Sequence, residues 1–238
     1  MTVTQEASYL GAFPIAAEAP AVEKAEFIKK TYFHLFWAVM AFAGLEFALF
    51  SIPGIDELII RTFSIPYAWL LIVGGFMLVG YLCERWAHSS TSLGTQYLCL
   101  GVYVAVESVF FVPILWIAGQ RAGGSVIQTA AFMTVFAFLG LTAIVFFTRK
   151  DFSFLRGVLS LTGLVMLGAI LGSILFGFSL GNLFSMLGIG LACGYILYDT
   201  SNVLHRYRVG QHVAASLALF ASVALLFYYI LRLLNSRR

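Results

Sequence analysis

The stretch GVLSLTGLVMLGAILGSILFGFSLGNLFSMLGIGLACGYILY, Gly157 to Tyr198, runs for 42 residues without one charged side chain. A helix needs roughly 20 residues to cross the hydrocarbon core of a bilayer, so this run is twice the length of one crossing. It divides at Phe176-Gly177-Phe178-Ser179-Leu180-Gly181-Asn182, where glycines and Asn suit a tight turn. The stretch therefore reads as a hairpin of two membrane-spanning helices.

Working outward, the whole chain of 238 residues is 61% hydrophobic and 11% charged. Its mean hydropathy is +0.94. Soluble domains run about 45–50% apolar and about 25% charged, so a soluble fold is excluded on both counts. Intrinsic disorder needs low hydrophobicity and high charge, and a nucleic-acid surface needs a basic excess that 14 Lys and Arg against 11 Asp and Glu do not supply. A β-barrel would show short alternating segments instead of long continuous apolar ones.

Five further apolar segments flank the hairpin. Thr31 to Gly54 ends in Pro53-Gly54, a strong stop signal. Phe63 to Cys83 has Pro66 near its start, with Trp69 and Trp86 where interfacial aromatics sit. Leu93 to Ala118, Ser125 to Thr148 and Val213 to Leu234 complete the set. The expected fold is all-α, a polytopic membrane protein with seven transmembrane helices in residues 31–238. Residues 1–30, with Glu6, Pro14 and Pro20, read as a flexible polar tail that lacks the basic start and early apolar core of a signal peptide.

Lys and Arg set the orientation. Lys24, Lys29, Lys30, Arg85, Arg149, Lys150, Arg156, Arg206 and Arg208 fall on the side of the N-terminus. Arg61, Arg121, Arg232, Arg237 and Arg238 fall on the other, so the positive-inside bias places the N-terminus in the cytoplasm.

Ionisable groups at membrane depth are the main candidates for chemistry, because each costs at least a few kcal/mol and faces a partner or a polar cavity. Glu46 and Glu107 lie midway along the first and third spans, and Asp199 lies near the end of the sixth. Helical spacing puts Asp199, Asn202 and Arg206 on one face at i, i+3 and i+7, an arrangement suited to latching a pore, seating a cation or closing a helix-end salt bridge. Gly168-xxx-Gly172 and Gly190-xxx-Gly194 are expected to serve close helix packing.

His34, His88, His205 and His212 show no metal spacing; His205 and His212 flank the last loop and read chiefly as solvated loop side chains, with sensing of pH near neutrality as the alternative. Cys83, Cys99 and Cys193 read as buried thiols, since none forms a Cys-x-x-Cys pair. Catalytic motifs of membrane enzymes are missing, and the expectation is a non-enzyme without cofactors.

Three segments carry a family resemblance: Thr148-Arg149-Lys150-Asp151-Phe152-Ser153-Phe154-Leu155 with Gly157, Tyr198-Asp199-Thr200-Ser201-Asn202 with His205, and Tyr229-Ile230-Leu231-Arg232-Leu233-Leu234. Phe27 to Tyr32, and Glu107 with Pro113, agree more weakly. Together they resemble the Bax inhibitor family of seven-helix membrane proteins, in particular its bacterial branch that acts on the FtsH-type membrane protease. The resemblance implies six helices around a central C-terminal one and a location in the bacterial inner membrane. It also implies a latch of two aspartates in members described as pH-sensitive calcium leaks. Asp199 matches the first aspartate, and Ser222 stands where the second would be. A serine there is shared with the protease-modulating branch, and a polar tail offers a protease something to grip. The leading expectation is thus a modulator of an FtsH-type protease and of membrane protein quality control. The alternative is a calcium leak gated at Asp199 with Glu107 lining the cavity. Either way the partners are the lipid bilayer with the protease complex or calcium ions, and no nucleic acid.

Overall fold

The computed structural model describes residues 13–65, 68–89 and 92–236. The tail up to residue 12, Pro66, Arg237 and Arg238, with the side chains of Trp69 and His88, lie outside the described residues. Among those described, eight helices follow one another: α1 Ala21–Phe50, α2 Ile55–Phe63, α3 Ala68–Ser89, α4 Leu93–Ala122, α5 Gly124–Thr148, α6 Leu155–Phe176, α7 Asn182–His205 and α8 His212–Ser236. All but α2 are long and apolar enough to cross a membrane, which gives seven spans. Exposed Phe132, Phe136, Phe147, Leu164 and Leu175 show why: a surface this apolar has acyl chains as its solvent.

The expected hairpin breaks where its glycines allow. Gly177 ends α6 with φ +72°, a left-handed conformation that a residue without Cβ takes without strain, and α7 begins at Asn182.

Two boundaries differ from the sequence reading. Helix α1 starts at Ala21, ten residues before the expected Thr31. Pro20 stands at its N-cap, Glu23 lies in the first turn where the helix dipole favours a carboxylate, and Glu26 pairs with Lys30 at 2.7 Å. Polar turns of this kind extend an apolar helix beyond the bilayer, so hydropathy alone misplaced its start. The nine-residue helix α2 was not foreseen, and it is too short to span. It buries Ile59, leaves Leu58, Ile60 and Phe63 exposed, and is tied down by Trp116, whose Nε1 donates to Asp56 Oδ1 at 2.6 Å.

The segment before α1 is also structured. Ile15 pairs with Arg208 in an antiparallel bridge, Ala16 N donates to the Tyr207 carbonyl at 2.8 Å, and Val209 N donates to the Pro14 carbonyl at 3.2 Å. The Arg208 guanidinium donates to the Phe13 carbonyl at 2.8 Å. Residues 13–19 form a strap on the loop before α8, whereas the sequence suggested a flexible tail.

The contacts divide into two compact units. One contains the described residues up to Trp116 together with Arg206–Phe220, and the other contains Ile117–His205 and the described residues from Ala221 on. Leu159, Met166, Phe184, Leu191 and Tyr229 form a core cluster in the second. Helix α8 gives His212–Phe220 to one unit and the rest to the other, and it is the most enclosed span, with 72% of its most apolar window buried against 50% for α4 and less for the rest.

Close helix approach depends on fewer of the expected glycines than their spacing suggested. A Cβ on Gly194 would lie 2.6 Å from Leu159 Cδ2, and one on Gly172 would be in ordinary contact with Phe178, but Gly168 and Gly190 face open space. The tightest position is Gly188, where an added Cβ would fall on the ring of Tyr229.

Candidate functional site

The last two turns of α7 break the apolar pattern with four consecutive buried polar residues, Asp199, Thr200, Ser201 and Asn202. A helix can bury such a run only if its neighbours supply hydrogen-bonding groups. Ser222, in the part of α8 that belongs to the same unit, supplies one: its Oγ donates to Asp199 Oδ2 at 2.5 Å. Both side chains are less than a tenth exposed. Asn202 and Thr200 lie on the same buried stretch, with Asn202 Oδ1 and Thr200 Oγ1 lacking a hydrogen-bond partner.

Arg206 follows the end of the helix. Helix α7 ends at His205, so the i+7 alignment expected from the sequence stops one residue short and Arg206 is exposed in the following turn. His205 ends the helix instead, its Nδ1 donating to the Ser201 carbonyl at 3.0 Å.

Ser201 holds the loop that carries the strongest sequence motif. Phe152 N donates to Ser201 Oγ at 2.9 Å, and that hydroxyl lies 3.4 Å from Asp151 Oδ1 and 3.5 Å from the Lys150 carbonyl. Asp151 Oδ1 also accepts from Ser153 N at 2.9 Å, which shapes the turn locally. Arg149 ends α5 at φ +52°, the one described residue other than glycine with a positive φ, and its N–H returns to the Val145 carbonyl at 2.8 Å. The Arg149-Lys150-Asp151 motif is thus a turn anchored on α7, two residues beyond Asp199.

A second buried group belongs to the other unit. Glu107 and Tyr103 sit one turn apart on α4, both buried, and the Tyr103 phenol hydrogen-bonds the Glu107 carboxyl. Glu107 Oε2 has no partner. Phe42 packs edge-on to Phe111 at 5.3 Å, which brings α1 against α4 and sets Glu46 near enough to Glu107 to act on it electrostatically. Neither carboxyl oxygen of Glu46 has a hydrogen-bond partner, although the residue is buried. Pro113 stands within α4 without ending it, as membrane helices allow.

The histidines gave no sign in the sequence of where they would lie. His34 and His212 rings come within 5.1 Å, and His34 Nε2 meets the Tyr97 hydroxyl at 2.7 Å. His212 is buried, unlike the solvated loop residue expected. Arg232, at the end of α8, donates to the Leu180 carbonyl at 3.0 Å and lies over the Phe184 ring at 4.8 Å, closing the α6–α7 turn. Among the described residues no three His, Cys, Asp or Glu side chains are grouped to hold a metal ion.

Comparison with known proteins agrees with the pattern of these elements. Residues 24–238 match the family model described as Inhibitor of apoptosis-promoting Bax1. An uncharacterized protein of Pseudomonas aeruginosa is 31% identical over 193 residues, 80% of this chain and 85% of its own. Bax inhibitor 1 of Schizosaccharomyces pombe is 30% identical over 175 residues, covering 71% of this chain but 62% of the yeast protein. Protein lifeguard 4 of Mus musculus is 30% identical over 178 residues, 74% of this chain and 73% of its own. With a family model covering nearly its whole length and all seven spans in place, the chain belongs to the Bax inhibitor family of multi-pass membrane proteins.

Proposed function

We propose that this chain provides a leak pathway for cations, calcium first, across the membrane, with the Asp199–Ser222 contact as its gate. The observation that carries the proposal is the hydrogen bond between these two buried side chains. A carboxyl at membrane depth is costly unless it works on something that passes or is held there. The contact also supports a latch that lacks the second aspartate. Ser222 occupies the latch position as a donor, so the latch is kept while one charge is removed. Glu46 and Glu107, with unpartnered oxygens inside their spans, support the same reading from the other unit. The test is purified protein in liposomes loaded with a calcium dye. Flux above that of empty vesicles, changed by Asp199→Asn, supports the leak; vesicles as tight as empty ones overturn it.

A second reading, modulation of an FtsH-type protease in the bacterial inner membrane with the N-terminus cytoplasmic, is supported by a different feature. The strap at residues 13–19 precedes the part matched by the family model, which begins at residue 24. It borders a cleft of about 680 Å³ lined by Phe13, Pro14, Glu23, Phe27, Lys30 and His212, a mixed polar and apolar surface fit for a protein partner. A grip on a free tail would have to begin before Phe13, because the strap is bound to its own loop. Deleting residues 2 to 22 should leave the bundle folded and abolish co-purification with the protease; retained binding and modulation would remove the strap from this role.

A further inference from the structure

The α3–α4 pair brings together two side chains that lie 16 positions apart in the sequence. Phe76 stacks on Phe110 with ring centroids 4.5 Å apart and planes at 16°. One turn on, a Cβ on Gly80 would lie 3.3 Å from Tyr103 Cε2. At the next turn the Cys83 thiol hydrogen-bonds the sulfur of Cys99. The pairs 76 with 110, 80 with 103 and 83 with 99 advance along α3 as they retreat along α4, so the cysteines meet at the end of one continuous antiparallel seam. Gly80 leaves room on α3 for the Tyr103 ring, and the sulfur-to-sulfur contact is what a disulfide requires first. Both sulfurs are buried, and the third cysteine, Cys193, belongs to the other unit.

We propose that Cys83 and Cys99 are a redox modification site: a peroxide-class oxidant joins them in a reversible intramolecular disulfide that locks α3 to α4. The chemistry balances with one peroxide. The Cys99 sulfur, as thiolate, attacks a peroxide oxygen, an S–O bond forms as the O–O bond breaks, and the leaving hydroxide takes up a proton to depart as water. The Cys83 sulfur then attacks the resulting sulfenic sulfur, the S–S bond forms as the S–O bond breaks, and a second water leaves. Two thiols have lost two hydrogens and the peroxide has been reduced to two waters; a dithiol reductant reverses the reaction. Burial makes these thiols slower than an exposed one, so the lock answers sustained oxidation. Contact between the two sulfurs directs the sulfenic acid to the disulfide before further oxidation. Tyr103 and Glu107 follow Cys99 at intervals of four residues along α4, so the lock fixes the helix segment that carries them.

The experiment treats the full chain, in liposomes, with hydrogen peroxide, then denatures it and counts free thiols with a maleimide. Of the three free cysteines, one should remain labelled, Cys193, and peptide mapping should find Cys83 joined to Cys99. Dithiothreitol should restore all three labels. Cys83→Ser should leave Cys99 unlinked under the same treatment. Three labels after peroxide, over-oxidised Cys99 without a cross-link, or links only between chains through Cys193 would each overturn the proposal. The assay reads covalent state alone, so its result stands apart from whether the protein conducts calcium.

Discussion

Ser222 donates its hydroxyl proton to Asp199 across α7 and α8, and the acceptor is a buried carboxyl in the only consecutive run of four buried polar residues on its helix. A hydroxyl donor holds a carboxylate without needing a proton of its own to be shared, unlike a second carboxyl. Ser222→Ala should therefore cost about 1–3 kcal/mol, read as a lower thermal midpoint in detergent. Ser222→Asp should do something different in kind. Two carboxyls in hydrogen-bond contact share one proton, so the contact should hold at acid pH and open as that proton is lost on raising the pH. Calcium flux through the variant would then rise with pH along a profile different from that of the parent protein, whose contact holds a single carboxyl. Flat profiles for both proteins would count against the gate.

Gly188 is predicted to be the least replaceable glycine in the second unit. Gly188→Ala puts a methyl group against the Tyr229 ring and should destabilise by about 1–3 kcal/mol. Gly190→Ala, two residues on and facing open space, should be neutral or stabilising by up to about 1 kcal/mol through helix propensity. Thermal unfolding of the two variants side by side decides the matter; equal effects would contradict the packing described.

Removing the Ser201 hydroxyl should loosen the Arg149-Lys150-Asp151 turn without unfolding α7. Ser201→Ala deprives Phe152 N of its acceptor, and amide exchange at Phe152 should quicken by roughly tenfold, the equivalent of about 1–1.5 kcal/mol. Hydrogen exchange followed by mass spectrometry would show this as a local change in the peptide covering residues 149–154. Uniform acceleration through α7 would mean that Ser201 supports the helix, and the turn only indirectly.

Glu46 offers a test in which stability and function should move in opposite directions. Its oxygens are buried without partners, so Glu46→Met keeps the volume, removes the cost of burying the carboxyl, and should stabilise the protein by about 1–3 kcal/mol. Under the proposed leak, the same variant should conduct less. A destabilised Glu46→Met would show that the carboxyl is held by something its surroundings do not reveal.

The sequence made the membrane spans legible because bilayer thickness converts directly into a count of apolar residues, and the break at Gly177 was readable from turn chemistry. Hydropathy could not locate the start of α1 or the existence of α2, since both are polar or amphipathic structure outside the hydrocarbon. Asp199 stood out as a charge in an apolar run, and its partner Ser222 was found only through the family pattern, because a lone serine in a membrane helix carries no signal. The four-residue spacing of Tyr103 and Glu107 was present to be read. The approach of Glu46 to Glu107, of His34 to His212 and of Cys83 to Cys99 was not, because each depends on how separate helices pack. Arg206 shows the converse: periodicity extends a helix on paper until something ends it, and here His205 is the last helical residue.

The Arg208 guanidinium reaches the carbonyl of Phe13, 195 residues earlier in the chain. During synthesis the strap is made early, and the loop that receives it follows only after α1 to α7 have been made. Its docking therefore waits for that loop, and a loop closed over so many residues forms most readily when the helices between are already ordered. A chain stalled before this loop would leave residues 13–19 undocked. A docked strap thus reports that the chain has been made at least as far as the loop before α8.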